Sequence, residues 1–312
     1  MDVASAALGR IAGSCAAARR TSGSSAAPGF QYSRAATAAA RLAAPSSEIL
    51  AGRSGRRPWA DAFSVNHGSR AALPGHRVDL NTMAFRLPRD ARLVRFPTAD
   101  GLQLEGRLTA GSRDRGVVLC HPHPLYGGSM LTPVILTVEG AFHAAGFTTL
   151  AFNFRGVGGS EGTHGEGRAE VADVAGALAH LRAALDGQPS LIAVAGYSFG
   201  SHVGGQAAAA DPGVGFYLGV APVLARYDYG FLAGLRGRVA LIGGTRDEFS
   251  DPARLQTFAA SLPEPTWLRV LDADHFFGDA LDSLAASCRD AIRWATGSGP
   301  RDAGPTRHVP PR

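Results

Sequence analysis

Short apolar runs that alternate with helical stretches constrain the fold of this chain more than any other feature of its sequence. Six runs are largely apolar, as in parallel strands buried on both faces, and lie at 117–120, 148–154, 191–195, 216–220, 239–242 and 267–271. Helical patterns fill most of the intervening stretches, at 132–145, 169–185, 201–210, 251–261 and 278–295. The alternation predicts an α/β protein with a mostly parallel central sheet and helices on both faces.

A turn at Asp100 and Gly101 separates two further segments, 93–96 and 102–108, in which apolar and polar residues alternate. This pattern predicts an N-terminal antiparallel hairpin at the start of the sheet. We therefore expect the folded domain to cover residues 83–296. Residues 297–312 contain four prolines and are predicted to be a disordered tail.

Residues 1–82 are predicted to be a disordered N-terminal extension, because they are rich in Ala, Ser, Gly and Arg and show no sustained periodicity. They are either translated upstream sequence, with Met83 as the true start, or an organelle transit peptide. This segment has ten arginines and four acidic residues, whereas the rest has 21 and 22, so the net charge of +5 originates here. The nearly neutral remainder predicts no nucleic-acid partner.

The three cysteines, Cys15, Cys120 and Cys288, are widely separated and form no C-x-x-C pair. This spacing indicates neither a disulfide framework nor a thiolate zinc site, and it favours a reducing compartment, the cytoplasm. No apolar run approaches the roughly 18 residues of a transmembrane helix, so no membrane span is predicted. The sequence leaves the oligomeric state open.

The segment from Gly196 to Gly200 matches the G-x-S-x-G pattern of a nucleophile elbow, with Ser198 at its centre. A second match centres on Ser160, so the pattern alone does not choose between them. A nucleophile elbow joins a buried strand to a helix, and only Ser198 has a predicted strand before it and a predicted helix after it. Ser198 is therefore the predicted nucleophile.

A serine hydroxyl needs a base, and the base needs a carboxylate that fixes its tautomer. His275 directly follows the predicted strand 267–271, and Asp247 follows the strand 239–242. The carboxyl ends of parallel strands meet at one edge of a sheet, so we expect Ser198, His275 and Asp247 to converge there. Glu248 and Asp251 remain alternatives for the carboxylate.

An oxyanion hole requires backbone N–H donors beside the nucleophile. Phe199, which follows Ser198, is expected to provide one donor. The second is expected from the loop after the strand 117–120, where Pro122 and Pro124 have no N–H. His123 and Leu125 are the remaining candidates, and we favour His123.

Taken together, these motifs and the segments His121-Pro122-His123-Pro124 and 152–158 resemble the α/β-hydrolase superfamily over most of residues 85–295. The likeness is strongest to small bacterial hydrolases grouped with dienelactone-hydrolase-like proteins and serine aminopeptidases. Dienelactone hydrolases have a cysteine where this chain has Ser198, so their substrate is not implied. The serine aminopeptidases add a helical cap, whereas residues 221–238 are too few for a cap domain. The resemblance implies a cap-less α/β-hydrolase fold.

The predicted function is a serine hydrolase that cleaves a small ester or related acyl substrate and needs no cofactor or metal. Tyr126, Arg155 and Tyr197 are candidate substrate-binding residues, although Arg155 equally fits a structural role. Two alternatives remain at this point. One is a non-catalytic binding protein with the same fold. The other is a metal-dependent hydrolase that uses the H-x-H pair His121 and His123.

Overall fold

The computed structural model describes residues 91–185 and 189–297. The predicted extension 1–82, residues 83–90 and the tail beyond Gly297 lie outside the described residues. Eight strands occur in the described part of the chain: β1 Ala91–Pro97, β2 Gln103–Thr109, β3 Ser112–Cys120, β4 Phe147–Phe152, β5 Leu191–Tyr197, β6 Phe216–Val220, β7 Arg238–Gly244 and β8 Thr266–Leu271. Four α-helices lie between strands and a fifth follows β8: α1 Pro133–Ala144, α2 Glu170–Ala184, α3 Phe199–Ala210, α4 Pro252–Ser261 and α5 Leu281–Thr296.

All eight strands form one sheet in the order β1-β2-β4-β3-β5-β6-β7-β8. β1 and β2 form the predicted antiparallel hairpin, and β2 also pairs antiparallel with β4. Every other neighbouring pair is parallel. The mostly parallel sheet with an N-terminal hairpin is thus confirmed.

Two hydrophobic cores lie on opposite faces of the sheet. Helices α1 and α5 cover one face, and α2, α3 and α4 cover the other. Side chains of β5 alternate between the cores, because successive residues of a strand point to opposite faces: Ile192 and Val194 enter one, Ala193 and Ala195 the other. Burial on both sides explains the continuous apolar runs.

The connection between β6 and β7 contains one short 3₁₀-helix, Gly230–Gly234, and no cap domain occurs in the described ranges. The predicted absence of a cap is confirmed. No helix in the parts of the chain that the structure describes is long and apolar enough to cross a membrane.

Several boundaries differ from the sequence prediction for physical reasons. β3 begins at Ser112 rather than at residue 117, because its polar first half, which includes Arg113 and Asp114, carries no apolar signal. α3 begins at Phe199 rather than at residue 201, so the helix follows Ser198 directly. α5 begins at Leu281, three residues later than expected.

Candidate active site

Ser198 occupies a sharp turn between β5 and α3. Its backbone φ is 54° and its ψ is −119°, a strained conformation for a residue other than glycine. Its N–H donates to the carbonyl of Val220 on β6 at 2.9 Å. The turn is tight because a Cβ on Gly196 would lie 2.2 Å from the carbonyl oxygen of Gly200. The local geometry is that of a nucleophile elbow.

Ser198, His275 and Asp247 are joined by hydrogen bonds. Nε2 of His275 lies 3.0 Å from Oγ of Ser198, and Nδ1 lies 2.9 Å from Oδ2 of Asp247. All three side chains are buried. With the Nδ1 proton facing the carboxylate, Nε2 is free to accept a proton from the serine hydroxyl. The structure thus brings together the three residues that the sequence predicted.

The Asp247 carboxylate is held by its own loop. Oδ1 accepts hydrogen bonds from the N–H groups of Phe249 and Ser250 at 2.9 and 3.1 Å. Of the alternative carboxylates, Glu248 is exposed, and Asp251 caps α4 by accepting the N–H of Arg254. Asp247 is therefore the acid that the geometry pairs with His275.

The loop that carries His275 is fixed on two sides. Oδ1 of Asp274 accepts the N–H groups of Phe276 and Phe277, both at 2.9 Å. The hydroxyl of Tyr197 donates to the carbonyl of His275 at 3.1 Å. The imidazole also packs against the ring of Phe249, with ring centroids 4.7 Å apart. These contacts limit the movement of the imidazole toward or away from Ser198.

Backbone donors lie beside Ser198 at the start of α3. The N–H of Phe199 belongs to the first turn of this helix, where backbone N–H groups have no partner within the helix. In the loop after β3, the N–H of Leu125 donates to Nδ1 of His123 at 3.2 Å. Leu125 is thereby less suited as an oxyanion donor, and the N–H of His123 remains the better candidate.

The second G-x-S-x-G match, at Ser160, has a structural setting. Its hydroxyl donates to the carbonyl of Asn153 at 2.7 Å and accepts the N–H of Glu105 at 3.0 Å. The bond from Glu105 ties the loop after β4 to β2, and the bond to Asn153 closes this loop onto the end of β4. In the sequence, the two serines differ in whether a strand precedes and a helix follows them. In the structure, Ser198 lies in the turn between β5 and α3, whereas Ser160 lies in the loop after β4.

Both ring nitrogens of His121 form hydrogen bonds with backbone groups. Nδ1 donates to the carbonyl of Pro122 at 2.6 Å, and Nε2 accepts the N–H of Phe154 at 3.0 Å. Burial lowers the pKa of His121 to about 3, so the ring is neutral. A metal held by His121 and His123 would have to displace one of these bonds, and this geometry disfavours the metal-site alternative.

Two of the three candidate substrate-binding residues have structural contacts instead. The buried guanidinium of Arg155 pairs with Asp173 at 2.7 Å and with Asp100 at 2.9 Å. Tyr197 is 3% exposed and uses its hydroxyl to hold the His275 loop. Tyr126 is half-buried beside His123, with ring centroids 4.6 Å apart, and stays a prediction. The sequence could not reveal the first two roles, because the partners come from distant segments.

Sequence reasoning also missed His164 and Glu170, which lie next to the oxyanion candidates. The His164 ring is 4.7 Å from the His123 ring and 5.6 Å from that of Phe199, between centroids. Glu170 is fully buried at the start of α2. An acidic residue in the first turn of a helix is ordinary, so its position in the sequence does not indicate that Glu170 is buried.

Comparison with known proteins identifies the family. No family model matches the chain. A putative α/β hydrolase of unknown function from Agrobacterium tumefaciens is 30% identical and superposes with a TM-score of 0.61, over 66% of this chain and 97% of that one. The chain belongs to the α/β-hydrolase superfamily.

Other relatives of this α/β hydrolase fit the same assignment. A serine hydrolase without a lid from Xanthomonas campestris is 26% identical, with a TM-score of 0.60 over 67% of this chain and 96% of that one. An uncharacterised protein of Rickettsia prowazekii is 33% identical over 201 residues, which are 61% of this chain and 84% of the relative. The relatives from Agrobacterium tumefaciens and Xanthomonas campestris support a hydrolase of the cap-less type.

Proposed function

We propose that this α/β hydrolase is a serine hydrolase that cleaves a small ester or related acyl substrate through an acyl-enzyme on Ser198. The observation that carries the proposal is the continuous series of hydrogen bonds from Ser198 through His275 to Asp247, at 3.0 and 2.9 Å. Relatives from Xanthomonas campestris and Coxiella burnetii that are described as a serine hydrolase and a serine hydrolase homologue support it. Carboxylic ester hydrolysis is the reaction that we propose, ahead of peptide hydrolysis.

In the first half-reaction, Oγ of Ser198 attacks the acyl carbon while its proton passes to Nε2 of His275. The carbonyl oxygen becomes an oxyanion and accepts hydrogen bonds from the N–H groups of Phe199 and His123. The bond to the leaving group then breaks, and the imidazolium returns its proton to the leaving oxygen. Asp247 stabilises the imidazolium throughout.

In the second half-reaction, water attacks the acyl-enzyme and His275 accepts a proton from it. The tetrahedral intermediate collapses, the bond between the acyl carbon and Oγ breaks, and Ser198 regains its proton. The acid leaves as the product. Each proton transfer is assigned to His275, so the mechanism requires no metal or organic cofactor.

The test is labelling with a fluorophosphonate probe together with hydrolysis of p-nitrophenyl esters of graded acyl length. Wild-type protein should react with the probe and hydrolyse short esters, and Ser198→Ala should do neither. Ser160→Ala is the matched control, because it changes the serine of the other G-x-S-x-G match, and it should still be labelled. A folded wild-type protein that never reacts would favour the non-catalytic binding function. Activity that a chelator abolishes and added metal restores would favour the metal-dependent one.

A further inference from the structure

A buried carboxylate lies close to the oxyanion candidates but takes no part in the proposed proton transfers. Glu170 is fully buried, and its two oxygens accept the N–H groups of Gly165 and Gly167 at 2.7 and 2.8 Å. Nδ1 of His164 lies 2.8 Å from Oε1, in direct contact but off the line of a directed hydrogen bond. A buried carboxylate is costly unless such partners compensate for lost hydration. Glu170 therefore fixes both the loop 164–167 and the histidine that it carries.

His164 in turn contacts the side chains of both residues whose N–H groups we propose as oxyanion donors. Its ring lies 4.7 Å from that of His123 and 5.6 Å from that of Phe199, and these two rings are 4.8 Å apart. Three aromatic rings thus pack together, one from each of the two donor residues and one from the loop that Glu170 holds. The His164 side chain is only 11% exposed, so the packing is largely shielded from water.

The position of the His123 ring is coupled to the position of its backbone. Nδ1 accepts the N–H of Leu125, and the carbonyl of His123 accepts the N–H groups of Tyr126 and Gly128. Nδ1 can accept only while it carries no proton. Burial lowers the pKa of His123 to about 4, as do the neighbouring His164 and Arg226, while Glu170 acts in the opposite direction. Displacing the ring would therefore shift the peptide that carries the His123 N–H.

We propose that His164 and Glu170 are positioning residues that set the distance between the two oxyanion donors at Phe199 and His123. The inference rests on the proposed function, since it assumes that these N–H groups bind the oxyanion. Glu170 holds His164, and His164 supports the ring of His123 against that of Phe199. The oxyanion forms only as the reaction proceeds, so the position of its two donors affects the stability of the transition state. We therefore expect these residues to influence kcat rather than the binding of substrate.

The test compares His164→Ala, His164→Phe and Glu170→Gln with wild-type full-length protein. Each variant is assayed for kcat and KM with a short p-nitrophenyl ester, and for inhibition by a trifluoromethyl ketone, whose adduct with serine places an oxyanion in the same site. His164→Ala should lower kcat by roughly ten- to a hundredfold, because small displacements of such groups have effects of that size. KM should change by less than about threefold, and the inhibition constant should rise in parallel with the loss of kcat.

His164→Phe should restore most of the lost kcat, because it keeps a ring of similar size. Glu170→Gln should lower kcat as well. The double variant with His164→Ala should have a kcat no lower than that of the less active single variant, because both residues act through the same contact. The acidic limb of the pH profile of kcat/KM should be unchanged, because Ser198, His275 and Asp247 are untouched. A variant that had lost its structure would not keep the wild-type KM and the wild-type acidic limb of the pH profile.

His180→Ala is the matched control, because His180 is another partly buried histidine packed on a phenylalanine, 5.1 Å from the ring of Phe96. It should retain wild-type kcat and inhibition. The inference is wrong if His164→Ala keeps the wild-type kcat and inhibition constant, or if His180→Ala loses as much of both. If wild-type protein does not react with a fluorophosphonate, the proposed function is overturned and this inference with it. A reactive wild type with an unaffected His164→Ala overturns this inference alone.

Discussion

At the residue scale, the role of the Asp247 charge can be tested by a substitution that keeps the shape of the side chain. Asp247→Asn keeps the side-chain shape and one oxygen for the N–H groups of Phe249 and Ser250. Its amide favours the wrong tautomer of His275 and cannot stabilise an imidazolium. We expect kcat for a short p-nitrophenyl ester to fall about 10⁴-fold, as for a triad that loses its carboxylate.

The matched control for Asp247→Asn is Glu248→Gln, which removes an exposed carboxylate one residue away. Its kcat should stay within about twofold of wild type, since water and salt screen the charge of an exposed side chain. Circular dichroism should show both variants folded. Retention of more than a tenth of wild-type kcat by Asp247→Asn would contradict the assigned role.

Individual residues were predictable where a strand end fixed their position. Ser198, Asp247 and His275 each follow a recognisable apolar run, and the ends of parallel strands must meet at one edge of the sheet. Arg155 satisfies the same criterion, yet it is paired with Asp173 on α2 and Asp100 in the hairpin turn. Strand position locates a residue at the site, but its partners depend on segments that pack there from elsewhere.

At the scale of secondary-structure elements, the close packing of the end of β5 against the start of α3 requires a glycine at position 196. A Cβ on Gly196 would lie 2.2 Å from the carbonyl oxygen of Gly200 and 2.7 Å from Cα of Ser201, which are backbone atoms. We expect Gly196→Ala to lower the free energy of unfolding by about 3 kcal/mol or more, because the backbone must move to relieve the overlap. Urea denaturation measures the change.

Gly140→Ala is the matched control for this element. Gly140 is exposed within α1, and an added Cβ would meet no atom within 4 Å. Alanine is the better helix former, so this variant should gain about 0.5–1 kcal/mol. Equal stability of Gly196→Ala and wild type would show that the turn tolerates a wider separation of strand and helix.

The existence of the elements was easier to predict than their ends. All six largely apolar runs contain strands, and for the strands inside the sheet burial on both faces explains the clear signal. The start of α3 at Phe199 was missed, because helical composition was recognised only from residue 201 and the elbow turns directly into the helix. Such boundaries are set by tertiary contacts that local composition does not contain.

At the scale of the whole molecule, the order of the strands in the sheet could not be predicted from the apolar pattern of the sequence. β3 lies between β4 and β5, and β2 pairs with β4 rather than with β3, which follows it along the chain. Local periodicity predicts strands but not their neighbours. The domain limits at 83 and 296 stay a prediction, since residues 83–90 lie outside the described part of the chain.

Global stability should depend on pH through the buried His121. Burial lowers its pKa from an ordinary value of 6.5 to about 3 in the folded protein. Between these values, the unfolded chain binds a proton at His121 and the folded protein does not. The free energy of unfolding should therefore fall as the pH decreases from about 6.5 toward 3, by up to about 1.4 kcal/mol per pH unit from this residue.

Urea denaturation at pH 7, 6 and 5 would measure this contribution by comparing wild type with His121→Gln, which does not titrate. The variant should be less stable at pH 7, because it disturbs the bonds to Pro122 and Phe154. Its stability should nevertheless decrease less steeply toward pH 5 than that of wild type. Parallel decreases would mean that His121 takes up its proton in the folded state. Because Nε2 of His121 ties the loop after β3 to the segment that follows β4, protonation there would release the loop that carries His123 as it destabilises the fold.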